Sequence, residues 1–207
     1  MTFKTVKEYY QDQWQSAGTS KWRRVSEKVL ALERSVAFPE GGGQMGDRGF
    51  VEQNGTKIAF LTAQKDVGVG RIVALPNFPI LNVDGEVHLH LAETIPSGFC
   101  EDKPICVEID FEYRAMLTRS HTAAHLVVMA LKKWFPKIES NIQGCSINAD
   151  GGRFDLAKEW GNAELIQDVQ SEFDRLVDAD VPILMTELEG EPECRIWNCC
   201  GVAIPCG

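Results

Sequence analysis

The sequence has 207 residues, 44% hydrophobic and 25% charged, with a formal net charge of −9. That length suits one large domain or two small ones with a real core. The acidic balance argues against indiscriminate nucleic-acid binding, while Lys21, Arg23 and Arg24, or Lys132, Lys133 and Lys137, leave room for a local basic face. No apolar run approaches the ~18 residues of a membrane span. The opening MTFKTVKEYYQDQW lacks the apolar stretch of a secretory signal. Seven cysteines are an odd number, so reduced thiols in the cytoplasm are expected. Four of them, Cys194, Cys199, Cys200 and Cys206, crowd the end of the sequence, as metal ligation or close packing requires.

KIAFLTAQ, VGRIVALP, EVHLHLAE and ICVEIDF are β-rich runs bounded by Gly, Pro, Asn and Asp, which predicts strands across residues 25–110. A small β-barrel or sandwich-like unit is expected over roughly residues 20–95, with Trp14 and Trp22 as candidates to seal it. PSGFCEDKP (96–104) is the linker candidate. Residues 112–135 then place Met116, Leu117, Ala124, Leu126, Val127, Val128 and Leu131 at helical spacing, and Pro136 stops that helix. IQGCSINADGGRFDL is β-like. NAELIQDVQSEFDRLVDAD reads as a second amphipathic helix, with Leu165, Val169, Phe173, Leu176 and Val177 on one side. ILMTELE and ECRIWNCCGVAIPCG return to strands and turns. The pattern predicts an α+β fold with helices on one face of a sheet.

Two of the four histidines, His121 and His125, stand four residues apart in HTAAH. On a helix that spacing puts them on one face, about 5–6 Å apart at Cβ. Two imidazoles so placed can share a zinc ion or simply pack. A second pair, His88 and His90, shares one face of a strand. It alternates with Val87, Leu89 and Leu91, which are expected to face the core. FPEGGGQMGDRG (38–49) permits unusual backbone conformations. It lacks the Lys and Ser/Thr of a phosphate loop and reads as a hairpin turn or a ligand-facing loop.

Together and in this order, FPEGGGQMGDRG, YRAMLTRSHTAAHL, QGCSI with GGRFDL, and CRIWNCCGVAIPCG resemble the editing region of alanyl-tRNA synthetases and its freestanding relatives, the AlaX proteins. The resemblance spans roughly residues 33–207 and follows four ordered motifs. Only about thirty residues precede the Gly-rich motif, so it implies a freestanding editing protein. It implies a small N-terminal β-barrel-like domain over residues 1–98 that carries the Gly-rich motif. An α/β two-layer, zinc-binding editing domain would follow over residues 99–207.

The resemblance implies Zn2+ held by His121, His125 and Cys206. The family's fourth ligand, a histidine four residues beyond the cysteine, would fall past Gly207. That leaves either three protein ligands with water or a ligand outside this sequence. Gln143 would lie beside the scissile ester, although QGCS carries one residue more than the family's Gln-x-Gly-Ser. Gln44, Gly42 and Gly43 would sense the aminoacyl group, with Thr122 as a further polar contact. Arg153 and Asp155 would shape the pocket floor or touch the tRNA end. The implied activity is deacylation of tRNA(Ala) carrying serine or glycine. A deacylase for another aminoacyl-tRNA and a non-catalytic tRNA- or protein-binding relative are the alternatives.

Overall fold

Every second residue of GFVEQ, VHLHL and ICVEI turns inward, the two-residue period of a strand with one face on a core. The computed structural model describes residues 4–66, 68, 70–74, 80–157 and 163–206. The chain separates into two units, residues 1–73 with 80–116 and residues 74–79 with 117–207.

The first unit contains strands β1 (Val6–Lys7), β2 (Ala17–Ser20), β3 (Trp22–Ser26), β4 (Val29–Leu32), β5 (Arg34–Ser35) and β6 (Gly49–Gln53). It continues with β7 (Thr56–Lys65), β8 (Arg71–Val73), β9 (Leu81–Val83), β10 (Val87–Leu91) and β11 (Ile105–Ile109). Seven of these form one antiparallel sheet in the order β2-β11-β6-β7-β10-β4-β3. Laid flat, its edges would stand roughly 29 Å apart. The edge strands β2 and β3 are joined by Lys21 alone, so the sheet must curl until its edges nearly meet.

That corner is hydrogen-bonded. Ser20 Oγ donates to the Lys21 carbonyl at 2.6 Å and accepts from Arg34 N at 3.0 Å, and Glu33 N donates to the same carbonyl at 2.9 Å. Inside the curl, Trp22, Leu30, Phe60, Leu89, Ile105 and Val107 belong to one core. Each such burial contributes about 1.5–3 kcal/mol. The Trp22 indole N–H donates to Lys103 O at 3.1 Å, which satisfies its one polar atom. Trp14 seals nothing: it is largely exposed and tilts against Phe111 at 6.0 Å. VGRIVALP contains β8, while Val69, Leu75 and Pro76 lie outside the described residues. ICVEI, beyond PSGFCEDKP, pairs with β2 and β6 and so is a member of the first sheet.

Helix α1 (Phe111–Lys132) follows β11. It ends before the expected residue 135, because a proline disfavours helical geometry in the residue before it. Lys133 and Trp134 donate instead to Ala130 O and Leu131 O, in a tightened final turn. β12 (Ile142–Asn148) and β13 (Gly151–Leu156) form a hairpin. Helix α2 (Ala163–Asp178) precedes β14 (Leu184–Leu188), β15 (Glu191–Cys199) and β16 (Val202–Cys206), which form a second antiparallel sheet. Met129, Ala130, Leu176, Trp197 and Cys199 make this unit's core, with Val169 and Phe173 against it. Val177, expected on the same side, is exposed, as its position at the edge of the α2 stripe allows. Antiparallel sheets with separate helices make the chain α+β. Among the described residues no helix is long and apolar enough to cross a membrane.

Candidate metal centre and active site

In the second unit, His121 and His125 precede Met129 at four-residue steps, so they extend the buried stripe of α1 toward its N-terminus. Their ring centroids are 4.9 Å apart, at 63° to each other. The Trp197 ring of β15 lies 5.0 Å from the His125 ring. Burial lowers the pKa of His121. Burial, then the neighbouring His121 charge, pushes that of His125 down to about 4. Both rings are therefore neutral at pH 7, the form that ligates metal. His125 Nδ1 is buried and has no hydrogen-bond partner among the described residues. An orphaned nitrogen beside a second neutral imidazole fits half of a zinc coordination shell, which takes nitrogen donors at about 2.0 Å.

The Cys206 side chain lies outside the described residues. Its backbone pairs opposite Arg195, two places along from the Trp197–Ile204 pair. Cys194 and Cys199 are buried, which fits close packing for those two. Cys200 is exposed, with φ +50°, and forms a two-residue hairpin turn with Gly201 at φ +75°.

Thr122 is half-buried beside His121 on α1. Gln143 is exposed on β12 at an irregular step: Ile142 pairs with Leu156 and Gly144 with Asp155. Two steps on one strand thus face one on the other, and Gln143 is the bulged residue. The extra residue of QGCS is accommodated in that way. Arg153 and Asp155 are exposed on β13 and paired at 3.0 Å.

Gly42, Gly43 and Gln44 belong to the first unit. Gly41 and Gln44 exchange backbone bonds of 3.1 and 3.0 Å, with Gly42 and Gly43 at φ +59° and +80° between them. That is a tight hairpin turn, which two glycines adopt without strain. Gly46 is needed for a different reason: a Cβ there would stand 2.0 Å from Ala63 O. Gln44 is buried.

Sequence reasoning missed Arg114. Its guanidinium is buried and donates to both Asp47 carboxylate oxygens, to Gln13 O at 3.0 Å and to Val36 O at 2.9 Å. Asp47 also accepts from Phe38 N at 2.7 Å. This network ties the Gly-rich segment to the first turn of α1. Its partners lie 67 positions apart, so no local pattern reveals it.

On β10, Val87, Leu89 and Leu91 are buried, as the alternation predicts. His88 Nε2 lies 3.0 Å from Glu86 Oε2 and 3.9 Å from Asp66 Oδ2. Asp66, Glu86 and His88 bring three potential metal donors together. Arg23 already pairs with Glu86, so we read the group as an ion network.

No family model matches the sequence. The chain is similar to the alanyl-tRNA editing protein AlaX-M of Pyrococcus horikoshii, 25% identical over 174 residues, which cover 84% of this chain and 70% of that protein. It is 33% identical over 129 residues to the alanine–tRNA ligase of Metallosphaera sedula, covering 62% of this chain and 12% of the ligase. The ligase of Methanothermobacter thermautotrophicus is 34% identical over 109 residues, 53% of this chain and 10% of the ligase. The chain therefore spans about a tenth of the length of these two ligases. The resemblance drawn from the four motifs holds: the chain is a relative of the alanyl-tRNA editing proteins of the AlaX type.

Proposed function

We propose that this chain is an editing hydrolase that removes serine, with glycine as a second substrate, from mischarged tRNA(Ala). The observation that carries this reading is the pair of adjoining imidazoles with an unbonded His125 Nδ1, in a chain similar to AlaX-M over most of its length. We assign His121, His125 and Cys206 as Zn2+ ligands within an editing domain that begins after β11 rather than at residue 99, since β11 belongs to the first sheet. The β domain carries the Gly-rich motif. The cytoplasm, where charged tRNA is used, is the compartment this reading requires.

The reaction adds water across an ester. The water oxygen bonds to the acyl carbon, the bond to the ribose 3′ oxygen breaks, and that oxygen takes a proton. Bound zinc supplies Lewis acidity at such a centre. Gln143, exposed on its bulge, offers both a donor and an acceptor to the ester or its water. Thr122 stands one residue from a proposed ligand and offers a hydroxyl. Gln44, with the turn Gly42–Gly43, is assigned to sensing the aminoacyl group, and Arg153 and Asp155 to contacting the tRNA end.

Selectivity follows from pairing. A site that hydrogen-bonds the serine hydroxyl is left with an unpaired polar group when alanine enters, which costs about 1–3 kcal/mol, whereas glycine leaves room for a water to take that bond. His121→Ala tests the assignment. It should abolish hydrolysis of Ser-tRNA(Ala) while the circular dichroism spectrum stays that of the wild type. Retained hydrolysis would remove the histidine pair from the mechanism.

A further inference from the structure

His125 makes two ring contacts, with His121 at 4.9 Å and with Trp197 at 5.0 Å and 60°. The first partner stands one turn earlier on α1, and the second comes from β15. Trp197 is itself firmly held. β15 is the central strand of its sheet, and Trp197 pairs there with Met185 of β14 and Ile204 of β16. Its side chain is buried in one core with Met129, Ala130, Leu176 and Cys199. Met129 lies one turn beyond His125 on the same stripe of α1.

A metal-ligating imidazole ordinarily donates its second ring nitrogen to a carboxylate, a carbonyl or a water, and that bond fixes the orientation of the ring. Among the described residues no protein group is hydrogen-bonded to the His125 ring, and its Nδ1 is buried. Packing is what remains to orient it. An imidazole lying against a fixed indole loses freedom about its Cα–Cβ and Cβ–Cγ bonds, as a tethered imidazole does. A ligand ring that is already oriented gives up less freedom when it binds a metal, and the centre binds more tightly for it.

We propose that Trp197 is a positioning residue of the metal centre: its indole holds the His125 imidazole in the ligating orientation, in place of the usual outer hydrogen bond. It acts through His125 alone. The inference rests on the zinc reading of the histidine pair, and it extends that centre to a residue that the spacing of the histidines does not reveal.

The first test is made on the metal-free full chain. Nuclear Overhauser cross-peaks between the Trp197 indole protons and the His125 ring protons are expected, because the ring centroids stand 5.0 Å apart. The second is zinc affinity, from titration of zinc chloride in competition with a chelating dye, at a temperature where circular dichroism shows each variant folded. Trp197→Met fills much of the space with a flexible chain and should weaken zinc binding about tenfold or more, the scale of losing an outer partner of a ligand. Trp197→Phe keeps a flat ring and should stay within about threefold of the wild type. A merely structural tryptophan would lower the melting temperature of the variants and leave the zinc affinity of the folded chain unchanged. Absence of the cross-peaks, or wild-type zinc affinity in folded Trp197→Met, would overturn the inference and leave the zinc reading standing. A wild-type chain that binds no zinc would remove both.

Discussion

In the first unit β6, β10 and β11 bury every second residue, whereas β14 in the second buries none of its five and exposes Leu184 and Met185. Their buried polar groups differ in the same sense. Asp47, Arg114 and Glu86 in the first unit each have charged partners. His125 in the second keeps a buried ring nitrogen without one. A buried polar atom left unpaired costs about 1–3 kcal/mol. The first unit spends most of its buried charges on holding its own segments together, although Arg23 Nε is also left without a partner among the described residues. The second sets its unpaired nitrogen 4.9 Å, ring to ring, from a second imidazole, which is the character of a binding centre.

The largest effect that would break this contrast is expected at Asp47. Asp47→Ala leaves the Arg114 guanidinium buried without its carboxylate and should destabilise the chain by about 3–5 kcal/mol in urea unfolding. A change below ~1 kcal/mol would show that the pair is not an anchor.

The next effect is pH-dependent and belongs to Lys7. Burial, then the Lys65 charge, holds its pKa at about 7 in the folded chain, below its ordinary value of 10.5. Between these values the unfolded chain binds more protons, so stability rises with pH from about 7 to about 10.5, by at most ~1.4 kcal/mol per pH unit from this group. Subtracting a Lys7→Met stability profile from that of the wild type isolates the slope. A flat difference across the window would contradict the assignment.

Much of this was legible before any coordinates. β-rich runs bounded by turn residues located β7, β10 and β11, and the 3.6-residue period located α1 and α2, because both patterns are local. The four-residue spacing of His121 and His125 said that the rings can meet; their burial and the Trp197 contact came only from the fold. The Asp47–Arg114 network and the single-residue corner at Lys21 are products of long-range pairing. No window of sequence contains them. The bulge at Gln143 was half-visible, as one residue too many in QGCS.

A smaller effect sharpens the second half of the contrast. His125→Leu replaces an unsatisfied buried ring with an apolar side chain, so the metal-free chain should gain about 1 kcal/mol. Zinc should then raise the melting temperature of the wild type but not of this variant. A loss of stability in the metal-free variant would mean that Nδ1 has a partner in solution. The smallest effect is expected at the exposed Arg153–Asp155 pair. Asp155→Asn should change stability by less than ~1 kcal/mol, so any larger loss of deacylation reports contact with the tRNA end.

The most direct measurement is hydrolysis of Ser-tRNA(Ala) by the zinc-loaded chain, with Ala-tRNA(Ala) as the control and His121→Ala beside it. Selective loss of serine by the wild type, absent in the variant, is the expected result. Intact Ser-tRNA(Ala) in the presence of a chain that has bound zinc would contradict the account.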